Sequence, residues 1–210
     1  MTDKFDYKKE FKELYMPKNK PVLIDVPPMN FIMIDGKGDP NGEEYDKAVS
    51  ALYALAYTIK MSKMSGKQPE GYFEYVIPPL EGLWWSEGDR FYIDRRDTWL
   101  WTSMIRQPEF VTQEVFEWAV DECRRKKPDL DVSKARLETF TEGLCVQMMH
   151  IGPYADEPQS VKLMQQYMAE NNLKDVTGLE RKHHEIYLSD PRKTAPEKLK
   201  TVLRHPVEYI

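Results

Sequence analysis

Two hydrophobic periods alternate along the chain. Helical spacing appears first between Asn41 and Ile59, where Val49, Leu52, Ala56 and Ile59 fall at i, i+3, i+7 and i+10. Asn41 stands as N-cap with Glu44 three residues on, and Gly66 marks the stop. A second helix is predicted from the N-cap Thr112 through Phe116, Ala119, Val120 and Cys123; it ends in the basic run Arg124 to Lys127, which suits the negative pole of the helix dipole, before Pro128. The third starts near Asp156, turns Val161, Met164 and Met168 inward and frays at Asn171-Asn172. Short apolar runs bounded by turn residues lie between the helices and read as strands: Phe31 to Ile34, Tyr72 to Ile77, Trp99 to Arg106, Leu144 to His150, His183 to Ser189 and Thr201 to Arg204. The segment Pro78-Pro79-Leu80-Glu81-Gly82-Leu83 reads as a loop.

In order, these elements spell strand, helix, strand, strand, a connecting helix, and the same series again. Met104-Ile105-Arg106-Gln107-Pro108 mirrors Val202-Leu203-Arg204-His205-Pro206, and each opening strand runs into a glycine turn before a capped helix. The pattern predicts an α+β fold of duplicated βαββ units. They form a pseudo-two-fold antiparallel sheet with helices on one side and a ligand groove between the halves. The expected boundaries are an N-terminal extension over 1–27, a first unit over 28–110, a connecting helix over 111–128 and a second unit over 135–210.

The chain's 210 residues carry 30 basic and 35 acidic side chains, a net charge of −5 that would repel phosphate backbones. The most apolar stretch, Ala48 to Ile59, is interrupted by Ser50 and Thr58 and falls short of a membrane span. The charged opening Met1 to Glu10 lacks the apolar core of a signal peptide, and two cysteines do not make a disulfide scaffold, so a cytoplasmic protein is expected. Neither nucleic acid nor membrane is an expected partner. The four histidines and Cys145 match no familiar metal spacing, and the glycine turn Gly36-Lys37-Gly38 lacks a dinucleotide fingerprint, so no metal and no cofactor is expected.

Aromatic residues reach 12% and cluster in the first half as Tyr72, Phe73, Tyr75, Trp84, Trp85, Phe91, Tyr92, Trp99 and Trp101. Trp99 and Trp101, two apart on a strand, share a face, and stacked rings of this kind hold flat or cationic ligands. One of the adjacent pair Trp84 and Trp85 is expected to roof the groove. In His183-His184-Glu185-Ile186-Tyr187-Leu188, alternation sets Glu185 and Tyr187 on one face; His184, Ile186 and Leu188 take the other, which is expected to pack under the helices. A carboxylate in the groove would recruit positive charge or act as a base, whereas a pairing with Arg106 or Arg204 would make it structural. No acid occupies the position six residues before Pro79, where Phe73 stands as Glu185 stands before Pro191.

Four segments together, Phe31 to Gly38, Pro78 to Trp85, His150 to Tyr154 and His183 to Pro191, resemble the gyrase-inhibitor-like (GyrI-like) small-molecule-binding family, and in particular its stand-alone bacterial members. The resemblance implies two βαββ units and a glutamate, matching Glu185, in an aromatic groove that meets flat cations. It also implies, for some stand-alone members, hydrolysis of the strained cyclopropane of DNA-alkylating compounds. On that implication Glu185 is the expected general base, and Tyr72 or Tyr187 the phenolic donor to the developing oxyanion. Trp84, Trp85, Trp99, Trp101, Phe73, Met149, Tyr154 and Tyr187 are the expected ligand contacts. With no helix-turn-helix ahead of the first repeat, the alternative to an enzyme is a module that binds, sequesters or senses drugs without transforming them.

Overall fold

A computed structural model describes residues 4–86 and 95–210; Phe91 and Tyr92 lie outside them. The elements in chain order are α1 (Tyr7–Glu10), α2 (Lys12–Tyr15), β1 (Val22–Val26), β2 (Met29–Lys37), α3 (Glu43–Lys60), β3 (Leu80–Ser86), β4 (Trp99–Arg106) and α4 (Gln113–Lys126). Then follow β5 (Arg136–Phe140), β6 (Gly143–Ile151), α5 (Glu157–Glu170), β7 (Leu173–Asp175), β8 (His183–Tyr187) and β9 (Lys200–Tyr209). Thr112 caps α4 by accepting from the Val115 amide at 3.3 Å. The N-cap of α3 is Gly42 and not Asn41, because the Asn41 side chain turns back to donate to Asp39 Oδ1 at 2.8 Å. No helix among the described residues is long and apolar enough to cross a membrane.

All the strand pairings are antiparallel, in the order β1-β6-β9-β8-β3-β4-β2-β5, with β7 added to the far end of β9. Outward from the β8–β3 junction the two directions read β9, β6 and β4, β2, so the halves β2-α3-β3-β4 and β6-α5-β8-β9 meet edge to edge as the duplication predicts. The sheet is strongly curled. Strand β1 sits at one end and β2 beside the other, yet only Pro27 and Pro28 separate them, a gap that three Cα steps span over at most about 11 Å.

Curling divides the core. On the convex face α3 and α4 cover Ile32, Ile34, Trp101 and Ile105, and α5 covers Val146, Met148, Leu203 and Val207 through Met164 and Met168. The concave face forms one cluster, in which Tyr7, Leu14 and Tyr15 of α1 and α2 plug Phe31, Met33, Met104, Met149, Ile186 and Val202. Helices therefore lie on both sides of the sheet, the three long ones on the convex side.

The structure corrects several expectations. Residues 80–86 are a central strand and not a loop. Bonded to β4 and β8 and buried on both faces, they show none of the alternation that marks a half-exposed strand. Tyr72 to Ile77 form no strand; Tyr75 makes an isolated bridge to Phe5, and the rings of Tyr72, Phe73 and Tyr75 pack on Phe110. Strands β1, β5 and β7, three to five residues long and at the sheet's margins, were not among the predicted strands. His184 and Ile186 face the concave plug, while Glu185 faces the side of the long helices.

Candidate functional site

Between α3 and α5 the floor of the convex face is β3 and β8, and the register sets Gly82 opposite Glu185. Gly82 is required there. A Cβ would come within 2.7 Å of Trp84 Nε1 and 3.1 Å of the Tyr187 hydroxyl. In that space Trp84 Nε1 donates to Tyr187 Oη at 2.9 Å, and Tyr187 Oη donates to Glu185 Oε2 at 2.7 Å. His183 Nε2 lies 3.0 Å from the other oxygen, Oε1. The Glu185 side chain is 15% exposed. The arginines considered as its partners are engaged elsewhere: Arg204 on Glu142 at 2.7 Å, and Arg106 over the rings of Tyr7 and Phe11.

The walls are aromatic and acidic. Tyr45, in the first turn of α3, stacks on Trp84 at 5.7 Å and meets Trp101 edge-on at 5.0 Å; Trp99 meets Trp84 edge-on at 5.8 Å. Tyr154, ahead of α5, contacts the Tyr187 ring at 6.1 Å and stays 40% exposed, at the groove's margin. Glu157 opens α5, and its Oε1 is buried with no hydrogen-bond partner among the described residues. Burial and then the Glu185 charge raise the Glu157 carboxyl well above the usual carboxylate range. The first-turn amides of α5 favour the anion by only about 0.3–1 kcal/mol, too little to reverse this. Burial, reinforced by Glu185, also pushes Tyr45 and Tyr154 up to about 12 and Tyr187 well above its ordinary value. The groove thus holds neutral proton donors around Glu185.

Of the predicted contacts, Glu185, Tyr187, Trp84, Trp99 and Tyr154 come together, and Trp101 lies fully buried behind them. The others do not. The Tyr72 hydroxyl donates to the Lys60 carbonyl at 2.8 Å within the cluster that serves the concave face, and Phe73 packs in that cluster as well. Trp85 points to the concave side, with Lys182 4.9 Å above its ring, because successive residues of a strand face opposite ways. Met149 is interior for the same reason. Tyr45, Glu157 and His183 are the groove residues that sequence reasoning missed. The signal lay in the repeat, since Tyr45 and Glu157 both occupy the first turn of the helix that follows a repeat's opening strand.

Ligand atoms of Glu157, His183 and Glu185 lie within 4.8 Å of one another, the set among the described residues able to hold a cation. A hollow of about 790 Å³ lies on the concave side, near Trp85, Arg136 and Lys182. Its charges neutralise one another, as Arg136 does with Asp35 and Glu138. Deeper in the interior, His184 is fully buried between Glu81 and Glu142, each 3.0 Å away, and Arg204 joins Glu142 to the Leu14 carbonyl. Burial works against the imidazolium, but the two carboxylates outweigh it and raise His184 to about 9. This network ties the plug to the sheet.

A family model for the GyrI-like small molecule binding domain matches residues 19–208. The chain belongs to that GyrI-like family. Among solved structures, an uncharacterised conserved protein from Listeria innocua is 60% identical with a TM-score of 0.95, covering 98% of this chain and 100% of its own. A protein described as a hydrolase from the same organism is 58% identical with a TM-score of 0.91 over the same shares. The EcmrR C-terminal domain, 10% identical with a TM-score of 0.54 over 91% of this chain and 98% of its own, shares the fold. No curated protein matches the chain.

Proposed function

We propose that this GyrI-like protein binds flat, hydrophobic or cationic aromatic small molecules in the groove between α3 and α5, and hydrolyses those that carry a strained, cyclopropanoid electrophile. One observation carries the reading: a carboxylate at the floor of an aromatic groove, oriented by a tyrosine and a histidine and, among the described residues, paired with no arginine. Relatives at 58% and 59% identity described as hydrolases favour turnover over binding alone.

In the proposed step the rings of Trp84, Trp99 and Tyr154 hold the substrate plane. Glu185 takes a proton from water as the water oxygen attacks a ring carbon. The cyclopropane C–C bond breaks, its electrons pass into the conjugated carbonyl, and the new oxyanion takes a proton from a neutral donor. The Tyr72 hydroxyl serves the Lys60 carbonyl and the Tyr187 proton is committed to Glu185; of the neutral donors left, Tyr45, Tyr154 and Glu157, the carboxylic acid gives up its proton most readily, and Glu157 is the proposed donor. Glu185 then gives its proton up to solvent and Glu157 takes one from solvent, which restores both groups and leaves the product with one added water.

The test incubates purified protein with a cyclopropane-bearing alkylator and looks for the water adduct by mass spectrometry. Glu185→Gln is expected to abolish the adduct while ligands still quench tryptophan fluorescence. Undiminished adduct formation by that variant would refute the mechanism. Unchanged ligand with tight quenching by the wild type would leave a binding or sensing module, the function that the family description itself names.

A further inference from the structure

Behind Glu185 runs a line of polar side chains that the groove chemistry does not use. Glu185 Oε1 lies 3.0 Å from His183 Nε2, His183 Nδ1 lies 2.8 Å from His205 Nε2, and His205 Nδ1 lies 2.8 Å from Asp175 Oδ2. The two imidazoles stand at 86°, edge against edge, so that a ring N–H of one aims at a ring nitrogen of the other. Exposure along the line is 15% at Glu185, 19% at His183, 9% at His205 and 28% at Asp175, which sits on the marginal strand β7.

The protons follow by elimination. Burial alone would raise Asp175, but its hydrogen bonds with His205 and Thr177 hold it below the usual carboxylate range, so it accepts. His205 Nδ1 must therefore carry a proton. A neutral ring with Nδ1 donating to Asp175 has a bare Nε2, and that nitrogen faces His183 Nδ1 at 2.8 Å. His183 Nδ1 must then donate to that nitrogen. One proton remains for the last gap, shared between His183 Nε2 and Glu185 Oε1.

We propose that Asp175, His205 and His183 form a proton relay connecting Glu185 in the groove to solvent at β7. The proposal rests on the reading of Glu185 as the groove's base. For each proton that Glu185 accepts from water, one moves outward at each gap and one leaves at Asp175, so that the count along the line is conserved. His183, His205 and Asp175 are positioning residues in this scheme. The other titratable groups facing the line are Glu157 of α5, Tyr154 ahead of it, Tyr45 of α3 and Tyr187 of β8.

The test is nitrogen-15 NMR of the histidine rings in the full chain, with and without Asp175→Asn. In the wild type His205 is expected to be protonated at Nδ1 and bare at Nε2, with His183 protonated at Nδ1. Asp175→Asn, which ends the line in a group able to donate, is expected to abolish the single His205 tautomer and to shift the ring signals of His183 beyond it. Where a strained substrate is turned over, the same variant is expected to lower kcat about tenfold or more with KM unchanged and to displace the acid limb of the pH profile, with rescue by Asp175→Glu. The opposite His205 tautomer in the wild type, or unchanged His183 signals in a folded variant, would overturn the relay. Should Asp175→Asn not fold, the wild-type tautomers decide the matter. Expected ring spectra without turnover of any substrate would support the relay and sink only the hydrolase reading.

Discussion

Replacing Glu157 by Gln tests the electrostatics of the groove without any ligand. Glu157 is raised above its ordinary value of 4.5 by burial first and by Glu185 second, and its Oε1 has no partner to lose. A carboxyl with a raised folded-state pKa contributes fully below the unfolded value and weakens the fold as pH climbs through the folded value, because the unfolded chain gives up a proton that the folded chain keeps. The cost grows by about 1.4 kcal/mol for each pH unit above 4.5, so that by pH 6.5 it reaches at most about 2.7 kcal/mol, and about 1–2 kcal/mol once local water is allowed for. Gln has the same shape and never ionises. Glu157→Gln is therefore expected to raise Tm by roughly 3–8 °C at pH 6.5–7 and to leave it unchanged near pH 4, as read by calorimetry across that range. A variant no more stable than the wild type at neutral pH, or one stabilised equally at pH 4, would refute the account of a desolvated carboxyl facing Glu185.

Other perturbations reach different parts of the molecule. Gly82→Ala should push Trp84 away from Tyr187 and weaken dye binding about tenfold, roughly the worth of one charge-adjacent hydrogen bond, as measured by fluorescence titration; unchanged affinity would mean the groove floor is elsewhere. His184→Leu leaves Glu81 and Glu142 facing each other in the interior, and a loss of about 3–5 kcal/mol is expected in urea unfolding. Because His184 is raised to about 9, its share of stability is complete below pH 6.5 and lost on passing through pH 9; a wild-type urea midpoint unchanged between those values would contradict the assignment. Tyr72→Phe should cost about 1 kcal/mol of stability and leave ligand binding untouched, since its hydroxyl serves the Lys60 carbonyl.

The duplication, the three long helices and the strands holding Trp99, Cys145, Glu185 and Leu203 were legible because each pairs a clear period with a turn signal. Strand β3 was not. Its Leu-Glu-Gly-Leu-Trp-Trp run is buried on both faces and follows two prolines, so it carries a loop's punctuation and no alternation. That misassignment put the counterpart of β8 at Tyr72 and Phe73, and with it the supposed phenolic donor. Alternation found Glu185 and Tyr187 because neighbours on one strand need no tertiary knowledge. Tyr45 and Glu157 reach the site only through the packing of two helices, and His205 and Asp175 only through the pairing of β8 and β7 with β9, which no local pattern records.

The two-proline link between β1 and β2 bears on how the chain is made. Val22 pairs with Gln147, so β1 leaves the ribosome 147 − 22 = 125 residues before its partner, or about 6–25 s earlier at common synthesis rates. Strand β5 in turn caps β2 and not its own half, so each repeat's outer edge is sealed by a strand that precedes the other repeat. Cutting the chain between the repeats would not yield two stable fragments. The margins of both would stand open, and the nascent N-terminal half must stay shielded from aggregation until synthesis is nearly three-quarters done.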